Sequence, residues 1–292
     1  MAVSGELVGM VVSPVDRRVE VADGVQLHVR AWEPPATDGS AFVLLHGIAS
    51  NAQTWDGVAR LLAGSNRRAY AIDFRGHAGS DRPESGYEIA AFVADLEAVA
   101  EGLGLERPIL VGHSLGANVA LEAAARRPDL AGGVALVEGG LVDADAQFAT
   151  LDECLAGLAL APVAGMPLAR LRGWLRGAHP DWPEWRLAAT LASFDVDAGG
   201  TVAWCLAAPR YEALIRALWN QHVSGAWQGL EIPAAFAVAD TGDADWTAAK
   251  HAAAANLAEV LPGAAVTWLQ AEHDLHSACP REVAELLLAA FG

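Results

Sequence analysis

Four short apolar runs constrain this chain more than any other feature: AFVLLHG (41–47), RRAYAIDFRG (67–76), RPILVGHS (107–114) and GGVALVEGG (132–140). None alternates apolar with polar residues, so each suits a strand buried on both faces. Between them lie the helical patterns TWDGVARLLAG, EIAAFVADLEAVAEGLG and GANVALEAAARRP. Strand and helix alternating through helix-length connections require right-handed crossovers and a parallel sheet. Upstream, RRVEVADGVQLHVRAWEP does alternate around Asp23-Gly24, which predicts an antiparallel hairpin with a two-residue turn.

After Gly140 the rhythm stops. Residues 141–230 hold no strand-like run, only helical segments such as PLARLRGWLRG, PEWRLAATLASF and PRYEALIRALWNQHV. AAFAVAD (234–240) and AAVTWLQA (264–271) then resume the sheet, and PREVAELLLAAFG closes the chain as a helix. The expected organisation is a core of 1–140 and 231–292 with a helical cap, or lid, over 141–230, a span longer than an ordinary loop. Six of the ten tryptophans fall in that insertion. Packing is the ordinary role of such residues, but Trp174, Trp182 and Trp185 are candidates to line a pocket beneath a cap.

The function classes narrow on charge. A formal net charge of −17 repels nucleic acid and anionic membrane surfaces. No apolar run reaches the roughly 18 residues of a membrane span, and MAVSGELVGMVVSPVDRR lacks the basic start and long apolar stretch of a signal peptide. The expectation is a soluble cytoplasmic protein whose partner is a small molecule; oligomeric state is not legible. Cys154, Cys205 and Cys279 are odd in number and lack CxxC spacing, so free thiols are expected rather than disulfides or a zinc site.

Gly112-His113-Ser114-Leu115-Gly116 gives the third apolar run its meaning. It follows a buried strand and opens a helix, the setting in which GxSxG holds a serine on a strained elbow. The alternative is a tight turn built from small residues. A nucleophilic serine needs a base to take its proton, so a histidine is required later in the chain, with an acid to orient it.

With these motifs the chain resembles the α/β-hydrolase fold family, in particular serine esterase- and lactonase-like members with a helical cap, nearly from end to end. The resemblance implies a mostly parallel sheet of about eight strands flanked by helices. His46-Gly47 followed by Trp55 resembles the family's HG segment, which implies that the amides of Ile48 and Leu115 form the oxyanion hole. DFRGHAGSDRP resembles a scaffolding turn of the family with Ala78 in place of a glycine, implying structural roles for Asp73, Arg75 and His77. In LQAEHDLHSACPREV, His273 stands at the catalytic histidine's place and His276 at that of a common second histidine, while Glu272 replaces a frequent glycine. The loop DTGDADW offers Asp240, Asp243 and Asp245 as the acid; the family's register selects Asp243, and Asp245 suits a helix cap. Asp240 remains an alternative, as does Glu138, at the end of the preceding sheet strand. His46 and His113 flank the centre and are candidates to touch substrate, whereas His222 and His251 suit exposed helical positions.

The resulting expectation is a serine hydrolase acting on an ester or lactone of a neutral apolar small molecule, with Ser114, His273 and Asp243 as catalytic residues and neither metal nor organic cofactor. Enol-lactonase, carbon–carbon bond hydrolase and cofactor-free peroxidase activities are alternatives within the resemblance. Epoxide hydrolases and haloalkane dehalogenases resemble the chain but carry aspartate at the nucleophile position. A hydrolase-like binding or receptor protein with little turnover is the alternative of a different class.

Overall fold

The computed structural model describes residues 12–228 and 230–292, and only the main chain of Asp245. Residues 1–11, the larger part of the opening segment 1–18 on which the signal-peptide expectation falls, lie outside the described residues. Strands β1 (Val15–Glu20) and β2 (Gln26–Trp32) form the antiparallel hairpin. Its connection runs over residues 21–25 rather than two residues, because the last strand pair is Glu20 with Gln26. Val21 and Val25 are buried and linked by a 2.8 Å backbone bond, so core contacts hold the longer loop, while Asp23 and Gly24 take φ of 61° and 74°.

The chain continues through β3 (Phe42–Leu45), α1 (Asp56–Gly64), β4 (Ala69–Ile72), α2 (Ile89–Gly102), β5 (Ile109–His113), α3 (Leu115–Arg126) and β6 (Gly133–Val137). The insertion then contributes α4 (Ala144–Gln147), α5 (Leu151–Gly157), α6 (Leu168–Ala178), α7 (Glu184–Leu191), β7 (Phe194–Val196), β8 (Val202–Trp204), α8 (Ala208–Trp219) and α9 (Val223–Ala226). β9 (Ala234–Asp240), α10 (Ala244–Val260), β10 (Ala265–Gln270), α11 (Leu275–Ala278) and α12 (Pro280–Phe291) complete it.

Eight strands form one sheet in the order β1-β2-β4-β3-β5-β6-β9-β10, antiparallel on both sides of β2 and parallel elsewhere. The absence of polar alternation has its cause here: β3 sends Val43 and Leu45 into one core layer and Phe42 and Leu44 into the other. The first layer is closed by α2 and α3, and the second by α1 and α12. Burying each such Leu or Phe side chain contributes about 1.5–3 kcal/mol.

The insertion sends no strand into this sheet, but it is not wholly helical. β7 and β8 form a separate antiparallel hairpin, with Phe194 opposite Trp204. Strands of 3 residues are too short for a period to show in the sequence. The hairpin belongs to a local core of Val163, Leu171, Leu175, Leu187, Phe194 and Val202. Among the described residues no helix is long and apolar enough to cross a membrane. The three cysteines are unbridged, with Cys154 and Cys205 buried and Cys279 half-buried.

Candidate active site

Ser114 sits between β5 and α3 at φ 52°, ψ −117°, a backbone state that L-residues rarely adopt. The flanking glycines are sterically required. A Cβ on Gly112 would lie 2.1 Å from the carbonyl oxygen of Gly116, and one on Gly116 would lie 2.3 Å from that of Leu45. The turn therefore closes only with glycine at both places, and it presents the serine where the first turn of α3 begins.

A cavity of about 480 Å³ opens there, within the range of small-molecule sites, and Ser114, Ile48, Leu115, His113, His273 and Glu138 all line it. The insertion supplies a further part of the wall from α4, α5, α8 and the residues that follow them, including Phe148, Leu158, Tyr211, Leu218 and Gln221. The expected tryptophans are not among the lining residues. Trp174 is 58% exposed, Trp182 stacks on His179, and Trp185 packs so closely on α1 that a Cβ on Gly57 would lie 3.0 Å from its ring. They belong to the part of the insertion that docks beside the cavity, and the tryptophan that faces it is Trp246 of α10.

His46 does not reach the cavity either. Its Nδ1–H donates to the Gly47 carbonyl (2.7 Å) and its Nε2 accepts from the Phe74 amide (3.0 Å), so it braces the wall from behind. His113 does line it, donating from Nε2 to the His273 carbonyl at 3.0 Å and so holding the loop that carries that residue.

The carboxylate beside His273 is Glu138. His273 Nδ1 lies 3.6 Å from Glu138 Oε1, a separation that a few tenths of an ångström would turn into a hydrogen bond. Asp243 stands elsewhere: it is exposed, it is the N-cap of α10, and its Oδ1 accepts the Trp246 amide at 2.9 Å. It thus holds the capping place expected of Asp245. Asp240 is bound to the Gly242 amide, Thr247 and Gln270. Glu138 continues directly from β6 at φ 47°, the strand neighbouring β5, so the two strained residues stand side by side at the carboxyl edge of the sheet. The signal available in the sequence was an acidic residue closing an otherwise apolar strand, VALVEGG.

Glu138 is buried, which pushes its carboxyl up, but His273, the Lys250 ammonium and the Ala239 amide (2.6 Å to Oε2) together hold it below the ordinary carboxylate range. Asp73, Arg75 and His77 take structural places. Asp73 accepts the Ala52 and Gly79 amides and pairs with His28 at 2.7 Å; Arg75 pairs with buried Asp95; His77 accepts the Ala49 amide at 3.1 Å. Ala78, where the resemblance leads one to expect glycine, is held at φ 35°, a strain of about 1–3 kcal/mol.

Two ties bind the insertion to loops that line the cavity. Buried Arg186 of α7 pairs with Glu272 and donates to Ser277 Oγ (3.1 Å), on either side of His273 and His276. Asn51 donates to the Ala189 carbonyl (2.8 Å) and to Ser193 Oγ (2.9 Å). Glu272, unusual by sequence, thus has a partner in the insertion. Near the site, donor atoms of His113, Asp274 and His276 lie within 4.8 Å of one another; the two imidazoles also lie ring against ring at 4.3 Å, and His276 packs on Trp55.

Burial, first of all causes, lowers the protonation of four histidines: His46, His77 to about 3, His113 to about 4, and His276 well below its ordinary value. Unfolded, each takes a proton near pH 6.5, so below that pH the unfolded chain binds more protons and stability falls as pH drops towards 4. Asp73 and Glu138, held low, add further loss at more acid pH, whereas His28, Asp56 and Asp95, raised in the fold, oppose it. Urea unfolding is expected to show a loss of at least ~3 kcal/mol between pH 7 and 4.5, since each proton taken up contributes about 1.4 kcal/mol per pH unit. Stability unchanged over that range would mean that these histidines are protonated in the fold.

Comparison with known proteins agrees with this fold. The family described as alpha/beta hydrolase fold matches residues 40–185. Epoxide hydrolase B of Mycobacterium tuberculosis is 37% identical over 113 residues, 38% of this chain and 32% of that protein. The 2-(acetamidomethylene)succinate hydrolase of Mesorhizobium japonicum is 35% identical over 124 residues, 42% of each. These matches span less than half the length of the curated relatives. Among solved structures, that of an E-2-(acetamidomethylene)succinate hydrolase superposes with a TM-score of 0.78 at 23% identity, covering 95% of this chain and 98% of the other.

Proposed function

The chain belongs to the α/β-hydrolase fold family, and from that premise we propose that it is a serine hydrolase cleaving an ester or lactone of a neutral, largely apolar small molecule. The observation that carries this reading is Ser114 on its strained elbow, lining one cavity with His273 and Glu138. Epoxide hydrolases of this fold use an aspartate at that place, and a serine cannot supply the ester intermediate that an aspartate forms with an epoxide.

In the proposed mechanism His273 Nε2 takes the Ser114 hydroxyl proton as Oγ attacks the substrate carbonyl carbon. Glu138 holds the imidazole by Nδ1 and stabilises its charged form, in the role the sequence offered to Asp243. Charge on the carbonyl oxygen is met by the amides of Ile48 and Leu115 and by the amino end of α3. The carbon–oxygen bond breaks and the alcohol leaves with the proton from His273; a water deprotonated by His273 then attacks the acyl carbon, the bond to Oγ breaks and the proton returns to Ser114. In a lactone the alcohol stays joined to the acyl group, and the product is a hydroxy acid.

Substrate charge follows from the wall. Its ionisable residues include Glu138 and Asp274, and the ammonium of Lys250 is occupied by Glu138. No guanidinium lines the cavity among the described residues, so an anionic substrate would meet negative charge without a cation to bind it. The remaining polar groups, such as Asn118, Gln147 and Gln221, suit neutral acceptors and donors. The test is twofold: a fluorophosphonate probe should attach to Ser114 in the peptide map, and kcat/KM on neutral butanoyl or hexanoyl esters should exceed that on the matching hemisuccinate ester by at least about tenfold, some 1.4 kcal/mol. An unlabelled Ser114 would remove the acyl-enzyme, and faster cleavage of the hemisuccinate would remove the neutral-substrate assignment.

A further inference from the structure

Lys250 is the one lysine among 19 basic residues, and a lysine normally keeps its ammonium in water. Here it is 2% exposed. Its Nζ reaches inward from α10 to Glu138 Oε1, donates to the Ala239 carbonyl at 2.8 Å and lies 5.2 Å from the Trp246 ring centre. Buried ion pairs contribute little net stability against well-packed apolar residues, so stability alone is a weak reason for one at this place.

The oxygen it uses is the informative point. Glu138 Oε2 accepts the Ala239 amide, and Oε1 faces both Lys250 Nζ and His273 Nδ1. One carboxylate oxygen is therefore shared by a fixed cation and the proposed catalytic base. A lone buried carboxylate would attract a proton onto the imidazole strongly; a carboxylate already paired with an ammonium forms a nearly neutral partner and attracts it less.

We propose that Lys250 is a positioning residue of the hydrolytic site: it fixes Glu138 Oε1 towards His273 Nδ1 and partly neutralises it, so that this oxygen pulls less strongly on a proton at the imidazole. The consequence for turnover rests on the serine-hydrolase reading; the electrostatic coupling does not. The other groups around His273 are His113 from β5, Asp240 from the end of β9, Glu272 and Asp274 on its own loop, Arg186 from α7 paired to Glu272, and His276 from α11. None of these binds Glu138 Oε1 among the described residues.

The experiment uses the whole chain and the fact that it has a single lysine. Labelling with ¹⁵N-lysine gives one Nζ signal, which should shift with pH at the midpoint found for the ¹³C-labelled His273 Cε1 in the same sample. In a Ser114→Ala background, Lys250→Met should raise the His273 midpoint by about one pH unit, the effect of removing a nearby like charge, and Lys250→Arg should restore most of it. With Ser114 intact, the acid limb of kcat/KM should move up by the same amount. A flat Nζ signal through the His273 titration overturns the proposal even if Lys250→Met fails to fold; so does a midpoint unmoved in a folded Lys250→Met. Coupling by NMR without probe labelling at Ser114 would keep the Lys250–His273 link and discard the hydrolase reading instead.

Discussion

Ser114→Ala is expected to lower kcat on any ester the protein cleaves by roughly 10³-fold or more, with no loss of fold. The size follows from losing the acyl-enzyme: water must then attack directly, with only oxyanion stabilisation and binding left to help. The fold should survive because the elbow's demand is steric, and an alanine Cβ occupies the space of the serine Cβ. Gly112 and Gly116, where backbone oxygens approach within 2.1 and 2.3 Å of a Cβ, should not tolerate the same exchange. The measurement is single-turnover kinetics on a p-nitrophenyl ester, with circular dichroism to establish equal folding. A variant that keeps most of its turnover would reduce the GxSxG sequence to a tight turn.

Glu138→Gln should be almost as damaging, at roughly 10³ to 10⁴ in kcat, because an amide can present either an acceptor or a donor to His273 Nδ1 and no longer stabilises the imidazolium. It also leaves the Lys250 ammonium buried without its counter-charge, a penalty of about 3–5 kcal/mol. Activity must therefore be compared at low temperature and at matched folded concentration. The double variant Glu138→Gln/Lys250→Met removes both buried charges and should regain much of the stability but none of the activity. Asp243→Asn is the control, since asparagine caps a helix about as well as aspartate and Asp243 caps α10. It should stay within about tenfold of the unaltered protein, or 1.4 kcal/mol in barrier. An inactive Asp243→Asn beside an active Glu138→Gln would reverse the assignment of the acid.

Much of the local structure was legible because its signals are local. The elbow is a steric rule written in five consecutive residues, and the doubly buried strands show themselves by what they lack, polar alternation, since Val43 and Phe42 each meet a core layer. Other features had no such signal. The β7–β8 hairpin is too short for periodicity, and Trp174, Trp182 and Trp185 have the same composition cue whether they line a cavity or pack beside it. The link between Glu272 and Arg186 joins positions 86 residues apart, and neither identifies the other in the sequence.

The sequence by itself determined the placement of a serine on an elbow after a buried strand and of a histidine after the last one, because each depends on neighbours in the chain. Only the tertiary structure decided which carboxylate meets that histidine. Asp243 satisfies its oxygen on the amide of Trp246, three residues on, and so has no need of a distant partner, whereas Glu138, ending the strand beside the elbow, is carried to His273 by the lateral order of the sheet. That order is set by packing between elements far apart in the chain, and so is the placing of the single lysine against Glu138.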